Sequence, residues 1–335
     1  MPTSPDDVSR LLLPVEIIEK IVTETWLSPM SNGERTSLFV SLCLVNHTWL
    51  ETFVRIFLKD VHILSPSFAE RYIALFREKS RDETDEAYLL SGISATANRA
   101  CRTITFRIEQ DLANPSFTAP TRNSRLANNG HAPADTISDL LHTISSLNYL
   151  PNLRHVTVEY VNGSFDDLFD HARLLSFPSQ VTHLSLNYLH PKQKPSDRLS
   201  FPLWKMPNVR TLCLSGMPTA YVTALIATCP NINHLELADI PTSPDLKPLP
   251  MGIFSFRLMD PRVLPKKDGE KSRSESVQWG IQVALEAGLF SKTNTSEMKP
   301  RLVLRSRLQK ASDCKEIKKL CDRYGVEFVS CSSSS

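Results

Sequence analysis

The chain has 335 residues, 41% of them hydrophobic, 22% charged and 8% aromatic, a composition that excludes a disordered, collagen-like or extended coiled-coil protein. Lys plus Arg number 38 against 36 Asp plus Glu, for a formal net charge of +2, so there is no overall field to gather a polyanion and no nucleic-acid partner is expected. Ten glycines beside 23 prolines leave few places for backbone to cradle a phosphate, and no apolar run approaches the ~20 residues that span a bilayer, so no membrane association is expected.

Residues 1–9 read as a flexible tail. The start, Met1-Pro-Thr-Ser-Pro-Asp-Asp7, has neither the basic opening of a secretory signal nor an Arg-rich amphipathic pattern, which predicts a cytoplasmic or nuclear protein. Seven cysteines at irregular spacing, with no Cys-x-x-Cys, fit reduced thiols acting as small hydrophobes. Residues 10–60 are dense in Leu, Ile and Val at helical spacing and predict a three-helix module. Pro14 stands at an early position of the first helix, where a missing N–H costs nothing, and Ile17, Ile18, Ile21 and Val22 share an apolar face. A second helix over 34–46 places Leu38, Leu42 and Val45 on one side, and a third includes Trp49, Phe53 and Phe57. Three short helices with this much apolar surface cannot hide it internally, so a docking partner is implied.

Two runs in this module, Leu13-Pro14-x-Glu16-Ile17-Ile18-x-x-Ile21 and Leu42-x-Leu44-Val45-x-x-x-Trp49, resemble the F-box family in the form found among fungal F-box-like proteins. The resemblance covers about one-seventh of the chain. It implies that the helices dock on a Skp-family adaptor, which connects through a cullin to a RING subunit and a ubiquitin-conjugating enzyme. Leu13, Pro14, Ile17 and Ile18 would insert into the adaptor, with Leu44, Val45 and Trp49 shared between the contact and the module core. The segment Thr25 to Glu34 departs from the family pattern, lengthening the first helix or its connection by roughly two helical turns.

Residues 61–330 alternate strand-like and helix-like runs, and four segments align without gaps: Asn152-Leu-Arg-His-Val-Thr-Val158, Gln180-Val-Thr-His-Leu-Ser-Leu186, Asn208-Val-Arg-Thr-Leu-Cys-Leu214 and Asn231-Ile-Asn-His-Leu-Glu-Leu237. Offsets of 28, 28 and 23 residues resemble those of leucine-rich repeats, each a short strand followed by a helix or helical turn. Arg102 to Ile108 is a weaker copy, and Asp60 to Ile63 an opening strand. Candidate helices lie over 68–79, 136–147, 165–175 and 220–227, with a closing strand–helix–strand unit from Arg301 to Val329. Loop insertions are expected near 111–135, 190–202 and 241–276, and residues 331–335 as a frayed tail. The fold class is therefore α/β: an F-box-like helical module followed by an irregular leucine-rich-repeat-like solenoid of parallel strands plus helices.

Alternation along such strands stacks Val156, Leu184, Leu212 and Leu235 in one inward row and Val158, Leu186, Leu214 and Leu237 in a second. His155, Thr157, His183, Ser185, Thr211, Cys213, His234 and Glu236 then occupy the opposite face, where a target protein would bind. The recurrence of His155, His183 and His234 invites a metal reading, but Thr211 interrupts the row and no tetrahedral set is completed, so no metal is expected. Cys314 and Cys321 likewise lack two further ligands. Phosphate-loop, nucleophile-elbow, zincin and dinucleotide motifs are absent from the sequence, and neither a cofactor nor catalytic residues are expected. The sequence thus reads as a non-catalytic, substrate-recruiting subunit of a Skp/cullin/F-box ubiquitin ligase. The alternatives are a repeat scaffold without ligase association and, less favoured, an unrecognised enzyme.

Overall fold

A computed structural model describes residues 13–77, 95–109, 133–161, 177–189, 205–217, 219–238, 253–257, 282, 285, 301–305 and 311–331. Three helices come first: α1 (Val15–Trp26), α2 (Asn32–Val45) and α3 (His47–Lys59). Pro14 stands one residue ahead of α1 in an extended conformation (φ −52°, ψ 142°), and its carbonyl accepts the N–H groups of Ile17 and Ile18. The α2 start is fixed by a capping box: the Ser31 hydroxyl accepts from the Glu34 N–H while the Glu34 carboxylate accepts from the Ser31 N–H. Those bonds favour the Glu34 anion and hold its pKa below the usual carboxylate range. Asn46 ends α2 and caps α3, its Oδ1 accepting the Trp49 N–H at 3.1 Å.

The three helices enclose a small core of Ile18, Val22, Trp26, Leu42, Phe53 and Ile56, against which Leu38, Phe39, Cys43, Trp49 and Phe57 pack. Trp26 meets Phe53 edge-on at 5.2 Å and Phe57 at 5.8 Å, the geometry aromatic quadrupoles prefer.

The rest of the described chain is organised by one sheet of nine strands: β1 (Asp60–Ile63), β2 (Thr103–Glu109), β3 (His155–Val161), β4 (His183–Leu189), β5 (Thr211–Ser215), β6 (His234–Ala238), β7 (Ile253–Arg257), β8 (Arg301–Arg305) and β9 (Glu327–Cys331). Every neighbouring pair is parallel, and spatial order equals chain order. The described connections contain α4 (Pro66–Arg77), α5 (Pro133–Ser146), α6 (Thr219–Thr228) and α7 (Ala311–Arg323), as parallel pairing demands a crossover at each step. The protein is therefore α/β. No helix among the described residues is long and apolar enough to cross a membrane.

The inward rows expected from alternation are present. Val156, Leu184, Leu212 and Leu235 are in register across β3 to β6, as are Val158, Leu186, Leu214 and Leu237, and all eight are buried. They join one core with Ile104 and Phe106 of β2, Val61 and Ile63 of β1, Tyr72 and Phe76 of α4, and Leu140, Leu141 and Ile144 of α5. Tyr160 and Tyr188 extend the ladder as stacked rings 4.6 Å apart. Cys101 and Cys229 lie in this core, where burial pushes their thiols up to about 12 and about 11, so they serve as hydrophobes.

Two expected insertions have other boundaries, and β9 runs to Cys331, one residue into the segment expected as a frayed tail. Residues 241–276 are not wholly an insertion, because Ile253–Arg257 forms β7, with Phe254 and Phe256 at the register positions of Leu235 and Leu237. Flanking prolines and the charged run after Pro265 hid a strand with the same apolar-x-apolar pattern. The loop expected over 111–135 ends earlier, since α5 begins at Pro133, a residue suited to a first helical turn. The expected loop at 190–202 and helix at 165–175 lie outside the described residues.

Side chains just ahead of the strands tie neighbouring units together. Asn152 donates to the Arg99 carbonyl at 2.7 Å, Gln180 to the Tyr149 carbonyl at 2.9 Å and Asn231 to the Pro207 carbonyl at 2.8 Å, each reaching back to the preceding unit. Arg154 and Arg210 reach forward, to the carbonyls of Gln180 at 3.3 Å and Asn231 at 3.4 Å. These bonds satisfy turn carbonyls, which gives Asn152, Gln180 and Asn231 a structural role at the opening of their aligned segments.

Candidate protein-docking site

The helices divide their apolar residues between two sides. On α1, Ile18 is 4% exposed and Val22 is fully buried, whereas Ile17 is 45% exposed and Ile21, Val15 and Leu13 are similarly open. On α2, Leu42 is buried while Leu44 is 79% exposed, and Val40 and Val45 are also exposed. Leu13, Ile17 and Ile21 follow one another at four-residue spacing, which places them along one line of α1 and its entry. The single apolar face expected for Ile17, Ile18, Ile21 and Val22 is thus two faces, because α3 packs against only one of them.

The expected adaptor contacts sort accordingly. Leu13, Pro14, Ile17, Leu44 and Val45 are exposed, and Trp49 is half-buried against the helical core. Ile18 is a correction: it lies inside the chain's own core with Val22 and Phe53, so no partner reaches it. Val45 shares helical spacing with Leu38 and Leu42, but α2 ends there and leaves it in solvent while Leu42 is buried.

The segment from Thr25 to Glu34 ties the helices to the sheet. Trp26 donates from Nε1 to the Asp60 carbonyl at 2.9 Å and stands edge-on to the His62 ring at 5.2 Å, interplanar angle 90°. Arg35 is buried, lies 5.0 Å over the Trp26 ring, and donates to the carbonyls of Trp26 and of Ser28, the latter at 3.0 Å. Its charge therefore sits at the carbonyl end of α1, where a cation is favoured. Asn32 completes the clasp by donating to the Arg107 carbonyl on β2 at 3.0 Å. The helical unit is thereby fixed to β1 and β2 on the side opposite the buried rows, since His62 and Arg107 have the outward parity of their strands. Burial, with Arg35 and Arg107 nearby, drives the His62 pKa down to about 3, so this ring stays neutral. Sequence reasoning missed Trp26, Arg35 and His62; the Ser31-x-x-Glu34 capping signature was the available signal that α2 starts two residues earlier.

Beyond the helices, the outward face is polar. Register aligns Thr103, His155, His183, Thr211 and His234 in one row and Thr105, Thr157, Ser185, Cys213 and Glu236 in the next. His155 is exposed and the other seven expected contact residues are half-buried; all eight have the parity opposite to the buried rows. Outward side chains meet neighbours one strand away, as Cys213 does Glu236. The His155 and His183 rings pack 4.2 Å apart. Burial lowers both pKa values; Asp60 and the Arg102 carbonyl oppose this at His155, while His155 and His234 reinforce it at His183. Arg107 and Glu159 pair across β2 and β3 at 3.2 Å. Among the described residues no three His, Cys, Asp or Glu side chains gather as a metal site.

No family model, curated protein or solved structure matches the chain.

Proposed function

We propose that this protein is a substrate-recruiting adaptor of a Skp/cullin/F-box ubiquitin ligase, with the helical unit as an F-box-like module and the sheet as a leucine-rich-repeat-like solenoid. The observation that carries the reading is the line of exposed Leu13, Ile17 and Ile21, joined by exposed Leu44 and Val45, on helices whose own core is already filled. Water-exposed side chains of that size, concentrated on one short unit, are the mark of a docking surface. Leu13, Ile17, Leu44 and Val45 are among the positions that the F-box resemblance assigns to the adaptor contact; Ile21 adds to them, whereas Ile18 is buried and Trp49 half-buried. A target would bind the polar outward face, at a distance and angle from the adaptor set by the Trp26–Arg35–Asn32 clasp, and be held at high local concentration beside the conjugating enzyme. The chain itself would make and break no bonds.

One observation favours the second reading, a repeat scaffold whose helices close one end of the sheet. Val54, Phe57 and Leu58 of α3 pack into the main core beside β1, as a terminal cap does. Capture of a purified Skp-family adaptor by the intact chain separates the two. The ligase reading expects capture that is lost on Leu13→Asp with Ile17→Asp while the melting temperature is kept; the scaffold reading expects no capture by either protein.

A further inference from the structure

Arg154 and Arg210, which tie neighbouring units together, belong to a longer row of basic residues. Immediately before the strands, backbone N–H groups of Arg102, Arg154, Thr182, Arg210 and Asn233 donate in turn to the carbonyls of Lys59, Arg102, Arg154, Thr182 and Arg210, at 2.8–3.0 Å. The row Lys59–Arg102–Arg154–Thr182–Arg210–Asn233 is therefore a ladder with one residue per strand. At ~4.8 Å per strand its four cations span about 20 Å. All four are exposed, and none is in an ion pair with a described residue. Two are held in place by the chain: Arg154 Nη1 donates to the carbonyls of Pro151 at 2.8 Å, Leu153 at 3.0 Å and Gln180 at 3.3 Å, and Arg210 Nη1 to Asn231 at 3.4 Å. Over β1 to β6 the adjoining outward row, Asp60, Thr103, His155, His183, Thr211 and His234, contains Asp60 as its one carboxylate. A balanced net charge thus conceals, among the described residues, a local excess of positive charge along the edge, or rim, at which these strands begin.

We propose that this rim binds an acidic, extended protein segment, a run of Asp and Glu whose carboxylates pair with Lys59, Arg102, Arg154 and Arg210. The inference rests on the reading that the outward face receives the target, and it names the target's chemistry. Charge complementarity selects an anion, and guanidinium groups pre-positioned by their own hydrogen bonds suit carboxylates, which they bind in paired bonds. A nucleic-acid strand is the poorer match, because the row offers no aromatic side chain on which a base could stack. Neutral His155 and His183 beside the row provide further donors at a site already rich in them.

The test is fluorescence anisotropy of a labelled peptide of about twelve alternating Asp and Glu residues, titrated with the intact chain at ~50 mM and ~200 mM salt. The proposal expects saturable binding that is weaker at the higher salt and is weakened about tenfold by Lys59→Gln with Arg102→Gln and Arg210→Gln, as loss of three exposed ion pairs predicts. Arg102→Gln alone, which removes no side-chain hydrogen bond among the described residues, should cost about twofold and guards against a misfolded triple variant. A Gly-Ser peptide of equal length binding as tightly, or unchanged affinity in the variants, would overturn the proposal. So would a single-stranded RNA of equal charge binding more tightly than the peptide. Leu13→Asp with Ile17→Asp should leave peptide binding intact, so failure at the helices and failure at the rim register separately.

Discussion

Along α1 the apolar residues split, Ile18 and Val22 turning into the chain and Ile17 and Ile21 away from it, whereas along β3 to β6 the paired apolar rows are all sealed. The sheet leaves polar groups on its free side and the helical unit leaves Leu and Ile. Both regions are stable solutions, because an exposed apolar side chain costs little when the fold never buried it. The difference is one of purpose: a surface of half-buried Thr, His and Ser can stay wet indefinitely, while a line of Leu13, Ile17 and Ile21 gains free energy only by being covered. The same molecule thus presents two surfaces suited to different chemistry, held in fixed relation by Trp26, Arg35 and Asn32.

The sharpest way to break the comparison is to treat the two regions alike. Leu212→Ala removes a fully buried side chain from the stacked rows and should destabilise by about 3 kcal/mol, measured by urea unfolding. Ile17→Ala and Leu44→Ala, although they delete similar side chains, should each shift stability by less than about 0.5 kcal/mol. Equal losses at the two places would mean that the helical surface is core after all. A close second is Gly216→Ala at the end of β5. Gly216 has φ +67°, and a Cβ there would stand 2.1 Å from the Tyr188 carbonyl oxygen, so the backbone of the neighbouring strand β4 must shift, at a cost of about 2–3 kcal/mol.

Acid probes the clasp between the regions. The His62 pKa is about 3 in the folded chain and about 6.5 in the unfolded one. Between those values the unfolded chain takes up a proton that the folded chain refuses, so stability falls as pH falls. From pH ~7 to ~5 the loss from this residue is about 2 kcal/mol. His155 and His183, with pKa values also lowered by burial, add to it in the same direction. His62→Phe keeps a ring against Trp26 and should flatten that part of the pH dependence, read from melting temperatures across the range. A smaller loss than at the core, at Gly216 or in acid is expected at the amide ladder: Asn152→Ala and Asn231→Ala each remove one exposed bond to a turn carbonyl and should cost about 1 kcal/mol.

Much of the sheet was legible because alternation and a fixed offset are properties of the sequence alone, and β3 to β6 recur with aligned Leu or Val at the same two places. The helical unit was legible only as far as its periods. Spacing marks Ile17, Ile18, Ile21 and Val22 as neighbours, but which pair faces inward depends on the direction from which α3 packs, a long-range fact. Strand β7 was lost because proline and charge around it outweighed a five-residue apolar alternation. Trp26, Arg35 and His62 were lost for another reason: their importance lies in meeting one another across 9 to 36 positions of chain, and no single window contains them. The recurring Asn152, Gln180 and Asn231 were visible as a pattern, yet their hydrogen bonds became readable only once neighbouring units stood side by side.

If the helical unit docks on another protein, the exposed line on α1 is the surface it uses. Titration calorimetry of the intact chain with a purified Skp-family adaptor tests it most directly. The account predicts saturable one-to-one binding that Leu13→Asp with Ile17→Asp weakens about a hundredfold or more, with the folded state unchanged by circular dichroism. No binding, or binding that survives both aspartates, would contradict it.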